Sequence, residues 1–476
     1  MNTERDVHEM CRTLADQMFA FILGAIVEDA EFRCETSQAV RSQGKKYING
    51  GYRQVKVTLS GGTTTTVKVP YLRPDLSMRP GPKRGHGRRG KGGVGVYPVL
   101  AALGIWFGVT PALLHDVCKQ VTASESLRAG RAALEDLHFD PGHKQAQRLL
   151  ERAGYRMLEQ RGDWLARTRA EPPATGPLAG KRIVVALDGG RLRERKSSGR
   201  GRRRAKTGHR GFDTPWREPK MFVIYAIDDE GEIDEDFRFV DDGTLEDCDA
   251  VFDMLEGYLK ALGAADCKDF IVAGDGARWI WDRIDDLVDK VGIDKHKVSQ
   301  VIDWCHAVST LHTIVDYAKS LTTAERDSWL HAAKDLLFAG KTGELIEHID
   351  TLAVGRRAKK IRKHRPYFEN NVIRMQYATF RAANIPRGSG AVESAIRCII
   401  NQRLKGCGKF WKERNAEAMI LMRSYLKAGR FDDLFAWSLA EATPWWHHDT
   451  PYARSPGVWI LWNNRNTSDC GWLVHR

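Results

Sequence analysis

The spacing of hydrophobic positions changes several times along the chain, and each change marks a different kind of element. Over 5–30, Met10, Leu14, Met18 and Phe21/Ile22 recur at three-to-four spacing, which predicts an amphipathic helix. Over 52–72 the apolar positions alternate. Val55, Val57 and Leu59 precede a Ser-Gly-Gly turn and Val67 and Val69 follow it, the pattern of a β-hairpin. Helical spacing resumes at 97 and runs to 170, interrupted by polar turns. Short helices of this kind are compatible with a helix-turn-helix-like unit, and they also occur in helical domains that never touch DNA. From 181 the texture is that of buried strands: KRIVVALD (181–188), MFVIYAID (221–228), GEIDEDFRFV (231–240), DFIVAGD (269–275) and KVSQVID (297–303). Helices are expected between them at 245–262 and 277–290, giving β-β-β-α-β-α-β, a mixed α/β layout. Residues 306–385 read as all-helical and 390–404 as one further helix.

Composition narrows the class. The 476 residues allow about two to four domains. With 42% hydrophobic and 28% charged residues, a mainly disordered chain, a collagen-like repeat and a small disulfide scaffold are excluded. The nine cysteines are odd in number, scattered and without a Cys-x-x-Cys pair, which suggests reduced intracellular thiols and argues against a zinc ribbon. Acidic residues precede any apolar stretch at the N-terminus, so no secretory leader is expected. The uncharged segment Gly92–Leu114 has an apolar core, Val96–Val109, shorter than the roughly 20 residues that span a bilayer, so buried helices are expected there. The expectation is a soluble, cytoplasmic protein with no membrane partner.

The net charge of +13 points to a polyanionic partner because the positive residues cluster. A Gly/Pro-rich arm at 79–91 carries Arg84, Arg88 and Arg89 and no acid. Between Arg191 and Arg210 stand ten Lys/Arg and one acid, including Arg191, Arg193, Arg195, Lys196, Arg202, Arg203, Arg204 and Lys206. Further clusters lie at 355–365 and from Arg397 through Arg403, Lys405 and Lys409 to Arg414. Any one could be a solvated face, but together they favour phosphate-backbone contacts. Six of the fourteen tryptophans fall in 431–476; they could stack on unpaired bases, though packing onto a core is the commoner use of such rings.

Asp188 and Asp275 each end an apolar strand and precede glycine (LDGG, GDGA). Functional groups gather at strand ends in open α/β sheets, and two carboxylates there could converge on a hard cation. Acids after strands are also ordinary turn residues, the reading given to Asp228/Asp229 and Asp241/Asp242. A third element is GSGAVESAIRCIINQRLKGCGKFW (388–411). There Ser389 can cap a helix, Glu393 lies in its first turn, and Arg397 and Asn401 follow on the same face. Glu393 either joins a phosphodiester-cleaving site or merely pairs with Arg397.

The combination LDGGRLRERK, VAGDG and GSGAVES…NQRLKGCGKFW resembles DDE transposases of bacterial insertion sequences, nearest to the Kra and Lre groups and distantly the mutator-like elements. The resemblance covers roughly 180–425 well and 90–170 loosely. It implies an RNase H-like catalytic core with acids on the first strand, the fourth strand and a late helix, where Asp188, Asp275 and Glu393 fall. It also implies that the 117 residues between Asp275 and Glu393 hold a helical insertion. Asp303-Trp-Cys-His306 resembles the acid-or-Cys-x-x-His motif of related transposases and makes His306 a DNA or active-site contact; a histidine opening a helix is otherwise more often structural. The cysteine pairs of related N-terminal regions are missing here, so no structural zinc is expected.

The expected architecture is an α/β, RNase H-like mixed-sheet core with an all-helical insertion, after a small β-hairpin/helical DNA-binding region. Its parts are 1–90 (helix, hairpin, basic linker), 91–175 (helical, helix-turn-helix-like), 176–305 (catalytic, first part), 306–385 (insertion), 386–430 (final catalytic helices) and 431–476 (Trp-rich tail). Two Mg²⁺ ions, replaceable by Mn²⁺, would be held by Asp188 as a bridge about 3.5–4 Å between them, with Asp275 on one and Glu393 on the other. The expected partners are DNA, both transposon ends and target, and further copies of the chain in a homodimer or higher oligomer on paired ends. The alternatives are an RNase H-like nuclease or resolvase without strand transfer, and a non-catalytic DNA-binding descendant of a transposase.

Overall fold

The computed structural model describes residues 3–42, 47–75, 95–105, 107–135, 139–197 and 211–440. Arg84, Arg88, Arg89, Arg202, Arg203, Arg204 and Lys206 lie outside these residues, as do the tail tryptophans beyond Trp437. The chain divides into two compact units. One comprises residues up to Met157 with the helix Phe431–Ala440, and the other Leu158–Arg430. The division falls at 157/158, inside the helix His143–Ala170.

In the first unit, α1 (Thr3–Glu28) and α2 (Ala30–Arg41) precede strands β1 (Tyr47–Thr58) and β2 (Thr64–Pro74), which pair antiparallel. Leu23 and Val27 of α1 pack with Val57, Leu59, Val67 and Val69 of the strand pair and with Val99, Leu100 and Ile105. Asp16 is 4% exposed because its carboxylate accepts the turn's Gly61 N–H (3.1 Å) and Thr63 N–H (3.0 Å). The described residues from 95 onward include helices α3 (Pro98–Ala102) and α4 (Pro111–Ala123), each opened by proline, with Gly104 and Gly108 between them at positive φ. After them come α5 (Leu127–Glu135) and α6 (His143–Ala170). Among the described residues one helical segment is long and apolar enough to cross a membrane, Asp6–Glu28, of which 17% of the apolar window is buried.

The second unit is mixed α/β around a five-stranded mixed sheet. Its strands are β3 (Arg182–Gly189), β4 (Lys220–Ile227), β5 (Val240–Thr244), β6 (Asp269–Gly274) and β7 (Val298–Ile302), in spatial order β7-β6-β3-β4-β5. β3 pairs antiparallel with β4 and parallel with β6; β6 pairs parallel with β7, and β4 antiparallel with β5. Ile183–Leu187 are fully buried, which is why β3 reads as an unbroken apolar run. Helix α7 (Cys248–Ala261) connects β5 to β6. The helix expected over 277–290 is two pieces, α8 (Arg278–Trp281) and α9 (Ile284–Val291). Between β7 and the glutamate-bearing helix the described chain is helical: α10 (Trp304–Tyr317), α11 (Thr323–Phe338), α12 (Thr342–Leu352), α13 (Ala358–Arg362), α14 (Arg365–Glu369) and α15 (Tyr377–Ala382).

Two local expectations are corrected. The third strand is not 231–240 but Val240–Thr244; before it, Ile233 makes only an isolated bridge to Ile227. The acids of 231–239 serve turns, with Asp234 pairing Lys181 and accepting the Asp236 N–H at 3.0 Å. Asp241 and Asp242 in turn are strand residues, not turn residues, and Asp242 is fully buried. Its carboxylate accepts from Arg161 (2.8 Å) and the Tyr258 hydroxyl (2.7 Å), and Arg161 also approaches Glu417 at 3.6 Å. A buried carboxylate survives only with such partners.

Candidate functional site

The sheet register gathers the strand-end acids. Gly274 is opposite Leu187 on one side and Ile302 on the other, so Asp188, near the end of β3, is level with Asp275 and Asp303, which directly follow the parallel strands β6 and β7. The Asp303 N–H donates to the Gly274 carbonyl at 2.8 Å, which locks that level. Asp275 Oδ1 accepts the Ala277 N–H at 2.9 Å, turning the chain out of the sheet. Gly276 then lies against Tyr367 of α14: a Cβ there would stand 2.2 Å from Tyr367 Cε2, so no larger residue fits without a shift.

Glu393 arrives from α16 (Gly390–Ala395), which packs against β3 and β4 and continues as a π-helical turn over Ile396–Asn401. Such turns are rare and often lie at functional sites. The expected single helix over 390–404 is therefore an α-turn, a π-turn and a loop. Ser389, expected to cap this helix, makes no side-chain cap bond. Its N–H (2.5 Å) and Oγ (3.0 Å) donate instead to Asp303 Oδ2, while Asp303 Oδ1 accepts the His306 N–H at 3.0 Å. Asp303, 2% exposed, thereby ties the start of α10 to the start of α16. The consequence is that His306 Nε2 lies 3.2 Å from Glu393 Oε1. The carboxylate thus has His306 as partner, where pairing with Arg397 was the bland expectation. Ligand atoms of Asp303, His306 and Glu393 lie within 4.8 Å of one another.

Asp188 lies outside this group of ligand atoms but feels its charges. Burial, the largest cause, pushes the Asp188 carboxyl up to about 6, and the negative charges of Asp275 and Glu393 push the same way. The Gly189 N–H and His306 oppose them. Of the residues singled out from sequence, His306 and Glu393 are in direct contact, Asp188 and Asp275 stand at the ends of adjacent parallel strands, and the charges of Asp275, His306 and Glu393 act on the Asp188 carboxyl. Burial together with Asp303 and Glu393 also raises the Cys305 thiol. Asp303 as a clamp and Tyr367 as a wall were missed. Asp303 carried the same signal as the other two, an acid directly after an apolar strand, but without the following glycine.

Among the basic candidates, Arg191, Arg193, Arg195, Lys196, Arg397 and Lys405 are exposed and Lys409 is half-buried. Arg403 is not on the surface: it is 4% exposed, its guanidinium 5.1 Å from the Trp411 ring centre, and burial lowers its pKa to about 10. In the 355–365 cluster Arg356, Arg357, Lys359, Lys360, Arg362 and Lys363 are exposed, whereas Arg365 pairs with Asp350 (2.8 Å) and Glu369 (2.9 Å). No protein-family model matches this chain, and neither a curated protein nor a solved structure matches it.

Proposed function

We propose that the chain is a DDE transposase with an RNase H-like catalytic core, which binds the terminal inverted repeats of its insertion sequence, cleaves strands and joins them to target DNA. The observation that carries this reading is that Asp188 and Asp275 stand at one level at the ends of adjacent parallel strands, the first and fourth of the sheet in chain order, with the charge of Glu393, on a late helix, acting on the Asp188 carboxyl. The sheet supports it, with three antiparallel strands followed by two parallel ones. So does the helical stretch that separates the second acid from the third.

The donor set fits a divalent cation. Three carboxylates offer hard oxygen ligands, and Asp188 carries a carboxyl raised by burial and by its two acidic neighbours. Mg²⁺, or Mn²⁺ in its place, held by Asp188, Asp275 and Glu393 would supply Lewis-acid polarisation of a phosphodiester and activation of an attacking hydroxyl. The protein's own groups do the rest. Asp303 and Ser389 fix the two helices, His306 orients the Glu393 carboxylate, and exposed Arg191, Arg193, Arg195 and Lys196 bind phosphates beside Asp188. Action as a homodimer or higher oligomer on paired DNA ends, in the cytoplasm, belongs to the same proposal.

Purified protein with Mg²⁺ and DNA carrying the element's inverted repeats is expected to cut and join strands. Asp188→Asn, Asp275→Asn and Glu393→Gln should each abolish both reactions. Cleavage that survives Asp188→Asn sinks the proposed site. Cutting without joined products would move the reading to a nuclease or resolvase, and a folded protein that binds but never cuts would be a non-catalytic DNA-binding protein.

A further inference from the structure

Beyond Asp188 the chain leaves the sheet as a narrow two-stranded arm. Leu192 and Arg193 pair with Arg217 and Trp216, and Lys196 and Ser197 with Asp213 and Phe212. Side chains alternate across such an arm, so its two faces differ. The inner face is anchored. Leu192 is fully buried, Glu194 is 8% exposed and pairs Arg217 at 2.7 Å, and Arg217 reaches Glu413 at 3.2 Å. The backbone is also pinned to Trp411, which accepts the Arg195 N–H at 2.6 Å and donates to the Arg193 carbonyl at 3.0 Å. The arm is therefore tied to the segment that follows the Glu393 helix.

The outer face carries Arg191, Arg193 and Arg195, all exposed, with Trp216 (47% exposed) and Phe212 (39% exposed). Arg193 lies 4.8 Å and Arg191 5.4 Å from the Trp216 ring centre, and Arg195 4.3 Å from that of Phe212. Phe212 in turn meets Phe410 edge-on at 5.7 Å. Large rings left this exposed cost the free protein hydrophobic burial, and the guanidinium groups beside them, within cation–π distance, are held ready for a partner. The charge requires an anion, and the flat layers suit π-faces. A duplex offers phosphates but keeps its base faces stacked on one another; an unpaired strand offers both.

We propose that this outer face binds unpaired DNA, with bases stacked on the Arg193–Trp216 and Arg195–Phe212 layers and phosphates neutralised by the arginines. It deepens the transposase reading and rests on it for the identity of the strand. The strand would run toward Asp188, three residues before Arg191.

The test is anisotropy with the full chain in EDTA, using labelled oligothymidine, a blunt duplex and the same duplex with a forked end. Wild type should prefer the single strand and fork over the blunt end. Trp216→Leu/Phe212→Leu should weaken single-strand and fork binding by about tenfold or more and leave duplex binding unchanged. Arg193→Lys/Arg195→Lys keeps the charge but not the planes and should fall in the same direction. Unchanged single-strand affinity in the leucine variant overturns the proposal, as does an equal loss on the blunt duplex. Without metal the result does not depend on cutting. A chain that prefers the fork but never cuts would refute the transposase and leave this surface standing; one that cuts without preference would do the reverse.

Discussion

Asp188→Asn should stabilise the metal-free protein while removing its proposed activity. The Asp188 carboxyl has an ordinary value of 3.8 and is pushed up to about 6 in the fold, chiefly by burial and then by Asp275 and Glu393. Because the folded value is raised, the group's contribution to stability is fully present below about pH 4 and lost as pH rises through about 6. Two units at 1.36 kcal/mol each would be roughly 3 kcal/mol. Asp188 is only half-buried, and solvent screening reduces this to about 1–2 kcal/mol. Asparagine has no charge to desolvate, so the variant should gain about that much at pH 7.5 and almost nothing at pH 4. For a unit of this size the gain is roughly 2–8 °C in Tm. The assay is urea and thermal unfolding in EDTA at the two pH values, followed by Mg²⁺ titration at pH 7.5, which should stabilise wild type more than the variant. A variant that is less stable than wild type at pH 7.5, or whose advantage does not shrink in acid, would refute the electrostatic account of this site.

Three further outcomes follow from the packing. Arg161→Ala leaves Asp242 and Glu417 buried without their cation, so urea unfolding should show a loss of about 3–5 kcal/mol, partly recovered by Asp242→Asn in the same chain. Asp303→Asn places an amide against the Ser389 N–H or the His306 N–H and leaves a donor unpaired; the cost should be about 1–3 kcal/mol in thermal melts, with cleavage reduced at temperatures where the variant is folded. Gly276→Ala drives a methyl into the Tyr367 ring and should cost about 1–3 kcal/mol, whereas Gly276→Ala/Tyr367→Ala should lose the clash and show only the ring's own deletion cost.

Hydrophobic spacing alone located β3, β4, β6 and β7 to within a residue or two. Strands β3, β4 and β6 are buried along almost their whole length and so are nearly continuous apolar runs, while the edge strand β7 is buried only at Val301 and Ile302. The same spacing also placed Asp188 and Asp275 at strand ends and Glu393 in the first turn of a helix, since an apolar run stops where the chain meets water. What it misplaced was decided by partners far away in the chain. Asp242 sits inside β5 only because Arg161, Tyr258 and the fold between them bring donors to it, so a segment rich in acids hid the true third strand. Arg403 sat in a basic run and yet is buried against Trp411. Asp303 gave a strand-end signal, but its work as a clamp needed Ser389, a residue that local pattern assigns to capping. Sequence by itself thus determined which residues could form strands, helices and a site, because those preferences are local. Which charges are buried, which acids stand side by side and which helices they bind together depended on the sheet register and on long-range pairing, since the cost of burying a charge is set by the groups that surround it.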